Sequence, residues 1–289
     1  MNWREIVERS SAFLDAKKVP EAATAAEFLA CRLLQLPRSR LFASFQIEAS
    51  EKHICAMRRA LGRLVAGEPL QYVLGEWDFR SLTLKCDRRA LIPRPETEQL
   101  VSRVLAALDV RRRACKGSDK PFIVDVGTGT GAIVLSLAKE YPGQAVLLGT
   151  DISESAIALA KENSEICGLA DKVGFAVMDG LDDFDEPECV DIIVSNPPYI
   201  ESAVCETLDP RVKDFEPRIA LDGGARGLDF YERYLGDALN VLKSGGEVFF
   251  EIGENQGAAV ADMMRDYGFG DIRIEKDFSG HDRYAMARL

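Results

Sequence analysis

The sequence predicts a doubly wound α/β sheet preceded by a small helical bundle. Three observations carry that expectation. Short apolar runs with few polar interruptions recur from residue 122 onward, amphipathic stretches separate them, and the first 66 residues show apolar spacing of the helical kind alone. Within residues 2–66, Trp3, Ile6 and Val7 form one such run and Phe28, Leu29, Leu33 and Leu34 another, with Pro20 and Pro37 falling between runs. WDFRSLTLKC then alternates around Trp77, Phe79, Leu82 and Leu84, the pattern of a hairpin. The two prolines of Leu91-Ile92-Pro93-Arg94-Pro95 stiffen a connector into a helix over 96–113, which the loop RRRACKGSDKP ends.

Beyond that loop, FIVDV (122–126), AVLLGTD (145–151), VGFAVMD (173–179), DIIVSN (191–196) and GEVFFEI (246–252) suit strands covered on both faces. Amphipathic helices are expected over 131–140, 153–167, 228–242 and 255–267, and IRIEK and RYAMAR supply two last strands.

Bulk properties narrow the function classes. The chain has 289 residues, 47% apolar and 29% charged, an ordinary globular balance for one large domain or two smaller ones. No apolar run approaches the roughly 18 residues that cross a bilayer. The opening MNWREIVERSSAFLDA resembles neither a secretory signal nor a transit peptide, so a cytoplasmic protein without membrane partners is expected. Seven scattered cysteines without a CxxC pair read as reduced thiols, and with only two histidines beside them no metal site is expected. Net charge is −11, unevenly placed. Residues 1–95 hold 16 Lys/Arg against 11 Asp/Glu, whereas 96–289 hold 20 against 36. So acidic a surface repels a phosphate backbone, which disfavours nucleic acid as a partner.

Two motifs carry chemistry. After the first strand come Gly127, Thr128, Gly129, Thr130 and Gly131, opening a helix. Such glycines let the main chain turn sharply and bare it to a ligand. The spacing is GxGxG rather than the GxGxxG of dinucleotide sites, and Asp125 precedes it where a pyrophosphate would be repelled. Asp151 ends the second strand, where an acid takes ribose hydroxyls, and Asp179 and Gly180 end the third, where a carboxylate can meet an adenine amino group. S-adenosylmethionine, with its adenosine, sulfonium and ammonium groups, suits all three acids; a dinucleotide-dependent oxidoreductase suits them less well.

The second motif is SNPPYI (195–200), closing an apolar strand. Two prolines end the strand, and the residue before a proline is held extended, so Asn196 sits in a rigid loop beside the glycine turn. The Asn196 side-chain oxygen and the Pro197 carbonyl can each accept one N–H of a planar NH₂ group. Tyr199 can lie against its face. That arrangement orients the nitrogen and stabilises charge growing on it.

GTGTG, Asp151 and NPPY together resemble class I methyltransferases that act on planar NH₂ groups. GEPLQYVLGEWDF (67–79), LIPRPETEQLV (91–101), FEPRIALDGGARGLDFYERYL (215–235) and DFSGHDRYAMARL (277–289) resemble, more closely, the bacterial release factor glutamine methyltransferases, over nearly the whole chain. The resemblance implies a mostly parallel sheet with an antiparallel last strand. It also implies methyl transfer from S-adenosylmethionine to the glutamine amide of the Gly-Gly-Gln motif in class I peptide chain release factors. Residues 1–75 would form a helical release-factor-binding domain, 76–95 a hairpin and linker, and 96–289 the methyltransferase domain of a monomer. Gly127 to Gly131 would cradle the methionine part, Asp151 the ribose, and Asp179 and Gly180 the adenine, with Ile152 also at the cofactor. Asn196, Pro197, Pro198 and Tyr199 would hold the glutamine, with Asn196 also beside the cofactor and Glu96 and Thr97 close by. Some relatives place a bulky aromatic where this chain has Gly180, so adenine stacking would come from Ile152 or Leu181. Glutamine methylation of a ribosomal protein, adenine N6-methylation of nucleic acid and non-catalytic binding of release factors are the competing functions.

Overall fold

The computed structural model describes residues 1–114, 120–182, 184 and 186–289; the middle of the RRRACKGSDKP loop, with Cys115, lies outside them. The chain divides into two compact units, Met1–Glu76 with Asp209–Phe215, and Trp77–Leu208 with Glu216–Leu289. No helix among the described residues is long and apolar enough to cross a membrane.

Helices of the first unit span Trp3–Ala16, Ala22–Leu34, Arg38–Leu41, Glu51–Val65 and Leu70–Leu74, with a further turn at Pro210–Lys213. The Asn2 side chain accepts the Glu5 backbone N–H while the Glu5 carboxylate accepts the Asn2 N–H, a reciprocal cap that sets where the first helix starts. Ser50 caps Glu51–Val65 through the His53 N–H. Trp3, Ile6, Val7 and Leu14 are buried as their spacing predicts. On the second helix the buried stripe is Ala22, Ala25, Ala26, Leu29 and Ala30, while Phe28, Leu33 and Leu34 are only half-buried. Alanines at i, i+3, i+4 and i+8 dominate that face, and they let the helix lie close against the first one, on which it packs. The Phe28 ring instead lies beneath the Arg38 guanidinium, 5.5 Å from it.

The second unit holds the hairpin β1 (Glu76–Phe79) and β2 (Leu82–Lys85), whose Phe79, Leu82 and Leu84 are buried. The Asn163 side chain accepts the Lys85 N–H and donates to the carbonyls of Lys85 and Thr130, tying hairpin to glycine turn. The helix Pro95–Ala114 begins on the second proline of the expected connector, one residue before its expected start. The sheet contains β3 (Phe122–Val126), β4 (Val146–Asp151), β5 (Gly174–Val177), β6 (Val190–Ser195), β7 (Leu242–Glu251), β8 (Gly270–Lys276) and β9 (Asp282–Arg288), in the order β5-β4-β3-β6-β7-β9-β8. β9 runs antiparallel to both its neighbours, and the remaining pairs are parallel. The predicted doubly wound sheet with its antiparallel last strand is therefore present.

Strand periodicity explains the two layers of helices. Ile123, Ile192, Val194 and Phe249 join one core with Leu100, Val104, Val134 and Leu137. Their neighbours Val124, Ile193, Val248 and Phe250 join the other with Tyr231, Leu235, Val260 and Met264. Consecutive residues point to opposite faces, so strands apolar throughout supply two cores at once. At about 25 cal/mol per Å² of apolar area removed from water, this double burial is the main force holding the second unit together.

Candidate active site

Strand register brings the two motifs together. β3 lies between β4 and β6, and its last residue, Val126, pairs with Ser195, the last of β6. The Ser195 hydroxyl donates to the Val126 carbonyl at 2.6 Å. Gly127 and Asn196 come next in sequence, so the glycine turn and the SNPPYI loop leave the sheet side by side. Strand order reverses here, which is where open α/β sheets bind ligands.

A cavity of about 310 Å³ opens at this point. Gly127, Thr128, Gly129, Thr130, Asp151, Ile152, Asp179 and Gly180 line it together with Asn196, Pro198 and Thr97. Gly131, Pro197, Tyr199 and Glu96 stand outside that lining. Gly131 begins the helix Ala132–Glu140, Pro197 is buried, and the Tyr199 ring packs against the core. Leu181 is also core, whereas Ile152 is half-exposed and lines the cavity.

Asp125 does not face the cavity as its place before Gly127 suggested. It is fully buried, and its Oδ2 accepts the Thr128 hydroxyl at 2.6 Å and the Val134 N–H at 3.2 Å. Strand alternation turns it under the helix, where it braces the glycine turn from behind. Burial pushes its pKa up to about 7, against the pull of those two hydrogen bonds. A carboxyl whose pKa is raised on folding binds more protons folded than unfolded, so its contribution to stability is full at acid pH and is lost as pH climbs through about 7. Chemical denaturation between about pH 4 and pH 8 is expected to show wild type losing stability relative to Asp125→Asn as pH rises. A pH-independent difference between the two proteins would refute it.

Asp151 has a different environment. Its Oδ2 accepts the Gly129 N–H at 3.0 Å and its Oδ1 the Ser153 N–H at 2.9 Å. Burial raises its pKa, and the two N–H groups oppose that rise. Each oxygen keeps a lone pair, so the pair can accept two neighbouring hydroxyls.

Phe230, Arg233, Tyr234 and Gln256 are among the groups at the site that escaped sequence reasoning. Phe230, Arg233 and Tyr234 line the cavity from the helix Asp229–Val241. Arg233 donates to the Asp179 carboxylate at 2.6 Å and to the Asp179 carbonyl at 2.7 Å, so it fixes the turn that follows β5. Spacing of i, i+3 and i+4 was visible, but the same spacing serves a core face. Gln256 is the fourth: its Nε2 donates to the carbonyls of Tyr199 and Gly227, both at 2.9 Å, and holds the SNPPYI loop from outside. Gly223 supports the same loop. A Cβ there would come within 2.6 Å of the Pro198 carbonyl oxygen, so only glycine lets the LDGG segment (221–224) pass so close.

Asn196 itself is oriented. Its Nδ2 donates to the Thr97 hydroxyl at 3.1 Å, and that hydroxyl donates to Glu251 Oε2 at 2.6 Å. Burial raises the Tyr199 phenol above its usual range, so it stays protonated and is no base at neutral pH.

Comparison with known proteins settles the family. The family model described as PrmC N-terminal domain matches residues 5–75, and the one described as Methyltransferase small domain matches 106–208. A release factor glutamine methyltransferase of Moorella thermoacetica is 38% identical over 99% of this chain and 98% of its own length. The chain belongs to the release factor glutamine methyltransferase family. Another glutamine methyltransferase of this family, from Geobacter sulfurreducens, is 35% identical over 99% of this chain and 96% of its own. The human MTRF1L release factor glutamine methyltransferase is 31% identical, over 98% and 86%. Among solved structures, the catalytic domain of human METTL16 in complex with the MAT2A 3′UTR hairpin 6 matches with a TM-score of 0.55 at 18% identity. That match covers 78% of this chain and 81% of that one, and it is a likeness of fold.

As a member of the release factor glutamine methyltransferases, the protein is a methyltransferase with S-adenosylmethionine as its cofactor. The cavity fits that group. Gly127 has φ +72° and open space where a Cβ would stand, so its main chain is bared to the cavity. Asp151 supplies paired acceptors for a ribose, and Ile152, Phe230 and Tyr234 supply apolar surface for a flat base.

Proposed function

We propose that the protein methylates the side-chain amide nitrogen of a glutamine, that of the Gly-Gly-Gln motif in class I peptide chain release factors. One observation carries this: the Asn196 amide stands at the cavity with its N–H committed to Thr97, which turns Oδ1 into the group a substrate NH₂ meets. A carboxamide nitrogen has its lone pair in resonance, so the obstacle is poor nucleophilicity and orientation is the remedy. Asn196 Oδ1 and the Pro197 carbonyl accept the two N–H groups, and Pro198 shapes the slot beside them, with Tyr199 packed behind it against the core.

S-adenosylmethionine supplies an electrophilic methyl. When bound it would pass that methyl to the amide nitrogen as its sulfonium leaves as the neutral thioether, and the methylated amide, then a strong acid, would release a proton to water. No side-chain base is needed, in keeping with a Tyr199 that holds its proton. The two acceptors gain strength as the nitrogen turns positive, which favours the transition state over bound substrate.

Gly127 to Gly131 and Asp151 hold the cofactor, with Asp179 and Gly180 beside its base. The helical residues 1–75 grip the release factor, the +5 net charge of residues 1–95 meeting an acidic protein surface, and 96–289 perform the transfer. The protein acts as a monomer in the cytoplasm.

The test is mass spectrometry of a mixture holding a class I release factor, ribosomal proteins and nucleic acid, incubated with the enzyme and S-adenosylmethionine. The expected result is one methyl on the peptide containing Gly-Gly-Gln, placed by fragmentation on the glutamine side chain. A methyl on a ribosomal protein or on adenine instead, with the release factor unmodified, would overturn the proposal.

A further inference from the structure

Resting on the proposed glutamine transfer, we propose that Thr97 and Glu251 are positioning residues that lock the amide of Asn196 in one of its two orientations, presenting oxygen and not nitrogen to the substrate. Donor and acceptor counting supports it. A carboxamide rotated by half a turn about its last bond fills the same space but exchanges an acceptor for a donor, so shape alone cannot select between the two. A substrate NH₂ facing Asn196 Nδ2 would meet two donors head on. Something must fix the amide, and its own loop does not.

Three atoms do so in sequence. Glu251 Oε2 lies 2.6 Å from Thr97 Oγ1, fully buried at the end of β7. An ionised carboxylate only accepts, so the single hydroxyl proton of Thr97 points to Glu251. Thr97 Oγ1 then has only lone pairs to offer Asn196, 3.1 Å away, and must receive an N–H. Thr97 is itself 4% exposed, which shields the relay from water that could satisfy either orientation. The three residues come from the start of the helix Pro95–Ala114, the end of β7 and the turn after β6. The PETE stretch therefore has a task distinct from cofactor contact.

The relay has a built-in pH dependence. Burial raises the Glu251 pKa to about 7, the Thr97 hydrogen bond opposes that rise, Arg283 and Arg94 oppose it and Glu96 adds to it. Once protonated, Glu251 can donate to Thr97, whose proton is then free to point at Asn196 and let the amide turn over. Transfer should weaken below neutral pH even though neither the substrate amide nor Asn196 titrates there.

The experiment compares wild type, Thr97→Val, Thr97→Ser and Glu251→Gln for methylation of a release factor, with cofactor affinity measured by calorimetry. Wild-type methylation comes first, since its absence would defeat the proposed function itself and not this inference. Given wild-type activity, Thr97→Val should lose about tenfold or more in kcat with cofactor affinity within about twofold, and Thr97→Ser should recover to within about threefold. The wild-type rate should fall on the acid side of about pH 7, and Glu251→Gln should lack that limb. A fully active Thr97→Val, a serine variant as impaired as the valine one, or parallel loss of cofactor binding would overturn the Thr97 role. An acid limb absent from wild type or kept in Glu251→Gln would overturn that of Glu251.

Discussion

Replacing Asn196 with alanine is expected to lower methyl transfer about 10²-fold while leaving cofactor affinity within about twofold. The side chain meets the proposed substrate nitrogen through Oδ1, and that acceptor matters most when the nitrogen carries developing positive charge. Its removal also frees the Thr97 hydroxyl, now without the N–H it receives at 3.1 Å, but leaves the glycine turn and Asp151 untouched. The loss should therefore appear in kcat, with KM for the release factor changing little. Single-turnover rates with the cofactor saturating separate the two. Turnover equal to wild type would remove Asn196 from the mechanism, and a parallel fall in cofactor binding would mean that the side chain shapes the cavity instead.

Asp151→Ala is expected to act on the other half of the site. The carboxylate holds the Gly129 and Ser153 N–H groups and offers its remaining lone pairs to two hydroxyls. Hydrogen bonds to a charged group contribute about 1.5–3 kcal/mol each, so loss of even one raises the cofactor dissociation constant by about 10- to 100-fold. Asp151→Asn keeps one acceptor and should fall between. Calorimetry with S-adenosylmethionine checks both variants. Unchanged affinity in Asp151→Ala would contradict the ribose role, and a fall in kcat alone would move Asp151 to the chemistry.

The second unit was legible because its strands are buried on both faces. FIVDV and DIIV carry no alternation to misread, and each is followed by a motif whose glycines or prolines stop the strand where the site begins. Less was legible where one residue type can serve two ends. Alanines 22, 25, 26 and 30 form the face of the second helix, and they carried little weight beside Phe28, whose ring the structure leaves half-buried under Arg38. Asp125 read as a cavity acid because position along a strand was visible and the face it points to was not. Phe230 and Tyr234 share the periodicity of a core face, so nothing in spacing separates a ring that lines a cavity from one that packs against strands. Glu251 closes the apolar run GEVFFEI and passes for a strand end, though its carboxylate is buried against Thr97. Pairings such as these depend on residues more than 150 positions apart meeting in space, as Thr97 and Glu251 do.

The claim beneath all of this is that an Asn196 oxygen, not a nitrogen, faces the substrate amide. A high-resolution structure of the enzyme with S-adenosylhomocysteine and a peptide containing Gly-Gly-Gln tests it directly. The predicted result is Oδ1 of Asn196 about 2.9 Å from the glutamine side-chain nitrogen, with Nδ2 still on Thr97. An Asn196 side chain turned out of the cavity, or a glutamine whose carbonyl rather than nitrogen meets it, would contradict it.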